Sequence, residues 1–191
     1  MPRTLVINQL TEEITGEKAT DHLILLTELF RVYRSLTGKE DSLKEFYTLG
    51  NIIIRDFDQA DKYMLDPAQL FQNVRDLKRI SVDFSFLNAE QQEVIKSFWS
   101  SFQAQPDHKL NLHFITLWEN LLSLYLAFNS SLREKGYAYE GMIYRQMANR
   151  LKDPDELDFL NKYSGFAFIG FNALNTCEKE LFRYLKGKNK G

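Results

Sequence analysis

A single cysteine, three histidines and the want of any long apolar run remove several kinds of chemistry before any motif is sought. Cys177, standing alone, excludes an internal disulfide and any cysteine-based zinc site within the chain. His22, His108 and His113 show no pairing at a metal-ligand spacing. No apolar run approaches the roughly 20 residues of a membrane span, and the start lacks the basic-then-apolar order of a signal peptide. The cytoplasm is the natural compartment. Charge of one sign is missing too: 24 Lys and Arg nearly balance 26 Asp and Glu, for a net charge of −2. No global field attracts polyanions, so any nucleic-acid contact has to be a local patch.

What is present is apolar and aromatic. With 44 % apolar residues, among them 15 Phe, 9 Tyr and 2 Trp, the 191-residue chain should fold as one or two domains around large rings. Leu5 to Ile7 reads as a short strand, with Asn8 capping a brief helix that stops at Gly16. A helix starts at Thr20 or Asp21 and closes at Gly38; its apolar positions cover most of its circumference. Ser42 and Glu45 form a capping box. From there Leu43, Phe46, Gly50, Ile53, Phe57, Ala60 and Met64 make a packing seam in steps of three and four. Asp66-Pro67 ends that helix and starts another, running to about Ile80. Asn88 with Gln91 caps a helix that buries Val94, Ile95, Phe98, Trp99 and Phe102. Leu110, Phe114, Leu117, Leu121, Leu124 and Phe128 predict a rod of roughly 40 Å between Pro106 and Gly136. Tyr139 to Leu151 is one more amphipathic helix, and "KDPDELD" an acidic turn. The stretch 166–185, "FAFIGFNALNTCEKELFRYL", reads as a strand, a turn and a helix capped by Asn175 and Glu178.

Few constellations survive as chemistry. "NIIIRDFDQAD" (51–61) could be a strand delivering Asp56 and Asp58 to a metal. The seam passes through it, however, and Asp58 stands one helical turn before Lys62, as on a solvated helix face. "GFAFIG" (165–170) has the two-glycine spacing of a phosphate loop but continues with Phe171 and Asn172, lacking the lysine and hydroxyl that hold phosphate and magnesium. Cys177 lies in a first helical turn, where a thiolate is favoured; a lone, partly buried thiol is the simpler reading. Pro154-Asp155 is not followed by an acidic-x-lysine triplet on a strand, and "DLK" (76–78) comes earlier, in a helix. No nuclease site is assembled.

The order of elements resembles a superfamily I (UvrD-like) helicase motor over nearly its whole length. "LVINQL" (5–10) corresponds to a first strand and helix start, "REKGYAYEGMIYRQMANRL" (133–151) is similar to the return helix, and 166–185 takes the place of the magnesium-binding strand. Gly170, Phe171 and Asn172 stand where the resemblance expects a magnesium ligand and a water-orienting acid, and neutral residues do neither job. With "DFDQADKYMLDPAQLF" (56–71) and "FIGFNALNTCEKELF" (168–182), the chain looks like the inactivated helicase domain of AddB-like PD-(D/E)XK nuclease family proteins, without their nuclease domain. The resemblance implies an exonuclease as parent protein, an AddA-like motor subunit that hydrolyses ATP, and DNA end processing in bacterial recombinational repair.

The sequence thus leads us to expect a mainly α fold: a helical domain over 19–159, an α/β core remnant with parallel strands formed by 3–18 and 160–187, and a basic tail at 188–191. We expect a non-catalytic piece that handles DNA, single- or double-stranded, or scaffolds a subunit and the rest of its parent chain, without cofactor, metal or membrane. Asn8 and Gln9 at a helix start, and Asn172 and Asn175 after the last strand, are the candidate DNA contacts, since free amides favour anions; plain caps are the simpler reading of Asn8 and Asn175. The alternative is a helical protein–protein module with no nucleic-acid role, and an enzyme comes third.

Overall fold

The computed structural model describes residues 3–76, 120–152, 163–171 and 173–188, and among them the chain is mainly helical. Seven helices occur there: α1 (Ile7–Thr15), α2 (His22–Thr37), α3 (Leu43–Lys62), α4 (Pro67–Asp76), α5 (Leu121–Glu134), α6 (Glu140–Arg150) and α7 (Thr176–Gly187). Their ends follow local chemistry. Asp21 caps α2 by accepting from the Leu23 amide at 2.8 Å, and Gly38 closes it in the left-handed region at φ 64°. Ser42 and Glu45 exchange the two bonds expected of them at the start of α3. Asn175 and Glu178 do the same for α7 at 2.9 Å each. These boxes satisfy amides that no helical carbonyl can reach.

Three expectations change. Asn8 is not the cap of α1; Val6 is, in an extended conformation, and the Gln9 side chain returns to accept from the Val6 amide. That leaves Asn8 on the first turn with its side chain free to point at α6. Met64 does not extend the α3 seam, because the helix ends at Lys62 and Met64 takes φ 55°. The rod expected between Pro106 and Gly136 has a helix start at Leu121, with Asn120 as its cap. Its earlier part lies outside the described residues, as do the helix of Asn88 to Phe102, the acidic turn from Asp153 to Asp158, His108 and His113.

Two apolar clusters organise the chain. The larger joins α2, α3 and α5, with Leu26, Leu29, Phe46, Ile53, Phe57 and Phe128 almost fully buried. Removing such rings from water contributes about 2–3 kcal/mol each. Gly50 lets α2 approach α3: a methyl group there would lie 2.5 Å from Leu26 Cδ1. The smaller cluster joins α1 and α7 through Leu10, Ile14, Cys177, Leu181 and Leu185. Helix α6 belongs to both, with Met142 and Ile143 in the larger and Tyr144, Met147 and Ala148 in the smaller.

No β-strand occurs among the described residues. Of the first stretch read as a strand, Ile7 is instead the first residue of α1; nearby, Arg3 donates to the Tyr163 hydroxyl at 3.1 Å, and Leu5, Phe166 and Phe168 pack on the smaller cluster. No backbone bond joins the two stretches among the described residues. Burial alternates along 166–169, with Phe166 and Phe168 half-buried and Ala167 and Ile169 exposed, the period of a one-sided strand.

Candidate functional site

Three of the four side chains singled out for anion contact are already engaged within the chain. Asn8 is spent internally: its amide nitrogen donates to Glu140, and its oxygen accepts from the Tyr144 hydroxyl at 2.6 Å. Gln9 and Asn175 are committed to their helix starts. Asn172 lies outside the described residues. At α7 the Asn175 cap already takes the Glu178 amide, one of the donors a phosphate would need.

The polar chemistry gathers instead where α3 crosses α6. Asp58 is not on a solvated face. It pairs with Lys62 at 2.9 Å, and both side chains are only about 15 % exposed, at 16 % and 15 %. Asp58 also accepts from the Gly141 amide at 2.6 Å, one of the first amides of α6. Lys62 reaches Glu140 as well. Burial works against the Lys62 ammonium, but Asp58 and Glu140 outweigh it and raise its pKa. Gly141 is what permits this crossing, since a Cβ there would meet the Asp58 backbone, with Cα at 2.8 Å.

One turn on, Asp61 is fully buried and gathers three side chains. The Tyr125 hydroxyl donates to it at 2.6 Å from α5, Tyr139 donates from the start of α6, and Arg145 Nε lies 2.6 Å away. Arg145 also donates to the carbonyls of Ala60 (3.0 Å), which already accepts from the Leu65 amide, and of Leu65 (2.6 Å), just beyond the end of α3. Burial pushes both tyrosines well above their ordinary pKa, with Asp61 adding to it. They therefore stay neutral donors, and the Asp61 charge is answered by Arg145. The sequence signal for this group was thin: Asp61 lies inside the quoted 51–61 stretch, yet its partners are 64 to 84 residues distant.

Cys177 completes the arrangement from α7, donating to the Asp61 carbonyl at 3.5 Å. Burial pushes its thiol up to about 12, which overrides the first-turn position expected to favour a thiolate. As chemistry, the group is closed: its charges are paired and enclosed rather than presented, although Arg145 Nε–H meets Asp61 as an ion pair without the alignment of a hydrogen bond. Asp56 differs, with Oδ2 buried and without a partner among the described residues; burial raises its pKa to about 7. Among the described residues no group of three or more His, Cys, Asp and Glu is placed to hold a metal ion, and no helix is long and apolar enough to cross a membrane.

Comparison of the chain with family models, with curated proteins and with solved structures found no match.

Proposed function

We propose that this chain is a non-catalytic, helicase-like domain of a bacterial, AddB-like DNA helicase–nuclease, and that it scaffolds a subunit during DNA end processing and recombinational repair in the cytoplasm. The reading takes residues 3–6 and 163–171 as the remnant of a parallel-strand core whose neighbours are supplied by the rest of the parent chain. One observation carries it. The segment 166–171 has one face packed and leaves Ile169 89 % exposed, and it runs into Gly170 and Phe171, with no carboxylate where a motor would hold magnesium. The two phrases behind the family resemblance also meet, through Cys177 and the Asp61 carbonyl.

A second reading, a helical protein–protein module with no nucleic-acid role, draws support from the internal use of Asn8, Gln9 and Asn175. Mixing the chain with an AddA-like motor subunit separates the two. The first reading expects a complex that holds single-stranded DNA more tightly than the motor alone, with a gain that falls as salt rises. A complex that leaves DNA affinity unchanged favours the second. Magnesium-dependent ATP hydrolysis by the chain alone overturns both.

A further inference from the structure

Beside the Asp61 group, α5 and α6 enclose a cavity of about 560 Å³ that the proposed scaffold role does not use. Among the described residues, three guanidinium groups, of Arg133, Arg145 and Arg150, line it against two carboxylates, of Glu17 and Asp61, an excess of one positive charge. The excess is localised. Arg145 is answered by Asp61. Arg150 is held by a neutral acceptor, donating at 3.1 Å to the Ile14 carbonyl in the last turn of α1. A carbonyl fixes the direction of a guanidinium without cancelling its charge. Among the described residues, neither Arg150 nor Arg133 has a carboxylate within ion-pair distance. Glu17, at the same cavity, forms no ion pair with them either. Tyr137 and Met142 add apolar surface to the cavity lining.

We propose that this cavity is a binding site for a small organic phosphate, with Arg133 and Arg150 taking the phosphoryl oxygens and Tyr137 and Met142 covering the body of the molecule. A planar guanidinium matches phosphate oxygens with two parallel donors, and one already oriented by a carbonyl loses little freedom on binding. The volume lies within the range of small-molecule sites, roughly 300–1,000 Å³. Asn129, which is buried and lines the same cavity, has an oxygen without a donor among the described residues. It adds a buried polar group to the cavity lining. The inference rests on this cavity alone and stands or falls apart from the scaffold role.

The test is calorimetric titration of the full chain at low salt with adenosine monophosphate, inorganic phosphate and adenosine. Saturable binding of the nucleotide is expected with a Kd of about 1 mM or tighter, weaker binding of phosphate, and none of adenosine. Arg133 is exposed and has no side-chain partner among the described residues, so Arg133→Gln leaves folding intact; it should weaken binding about tenfold. Glu17→Gln removes the opposing carboxylate and should tighten binding several-fold. Equal affinity for nucleotide and adenosine, no effect of Arg133→Gln, or no saturable binding of either phosphate would each overturn the proposal. Binding of a single-stranded oligonucleotide in the absence of nucleotide binding would also overturn it and assign the arginines to nucleic acid.

Discussion

The crossing of α3 with α6 and the extended segment at 163–171 are built by opposite rules. At the crossing, charge is concentrated and closed: Asp58, Lys62, Glu140, Asp61 and Arg145 are all paired. Along the extended segment almost nothing is charged, and Phe166, Phe168, Phe171 and Phe182 form a run of ring contacts, the tightest being Phe168 on Phe182 at 4.1 Å. Yet it is the apolar region that lies open, with Ile169 and Phe171 facing solvent. The contrast shows where the molecule is finished and where it is available. Buried charge held in ion pairs fixes one arrangement of helices, whereas exposed apolar surface invites a neighbour.

Asp61→Ala should break the first region outright. It would strand the Arg145 charge in a buried position and leave two tyrosine hydroxyls without an acceptor, a loss of about 3–5 kcal/mol. For a chain whose whole stability is of order 5–15 kcal/mol, that is a large share. Denaturant titration followed by tryptophan fluorescence is the measurement. A loss below about 1 kcal/mol would mean that water replaces the lost carboxylate and that the crossing is not closed.

Gly141→Ala comes next and separates the two glycine contacts. At Gly141 the added methyl meets Asp58 backbone, which can move only if α3 moves, so a cost of about 1–3 kcal/mol follows from overpacking. At Gly50 it meets the Leu26 and Phe46 side chains, which can turn aside, and alanine regains up to about 1 kcal/mol of helix propensity. Gly141→Ala should therefore destabilise more than Gly50→Ala in the same denaturant assay. The reverse order would show that α6 slides easily on α3.

Much of this frame was legible in the sequence because it depends on neighbours within one helical turn. Ser42 with Glu45, Asn175 with Glu178, and the glycines at 16 and 38 each announced an end that the structure has. The seam residues Phe46, Gly50, Ile53, Phe57 and Ala60 are buried for the same reason: a period of three and four is a local signal. The closed charge group was not legible. Asp58 reads as an exposed ion-pair partner at four-residue spacing, and only the arrival of Gly141, 83 residues later, makes that face an interior. Arg133, Arg145 and Arg150 scatter over 18 residues and two helices, so no motif announces the cavity they share. The anion contacts expected of Asn8 and Asn175 were drawn from helix starts in isolation; α6 occupies the first and the helix's own cap uses the second.

The smallest effect tests the open region. Ile169 is so exposed that Ile169→Lys should change the stability of this chain by no more than about 0.5 kcal/mol, and thermal unfolding can confirm it. Phe168, its inward neighbour, packs on Phe182 and belongs to the smaller cluster, so Phe168→Ala should cost distinctly more, about 1–2 kcal/mol for a half-buried ring. The pair of variants reads the strand-like alternation directly. If Ile169→Lys instead costs more than about 1 kcal/mol, the outward face is already covered within this chain, and no external strand is required to explain it. If it costs nothing here but weakens association with the proposed motor subunit, Ile169 marks an edge at which a neighbour packs.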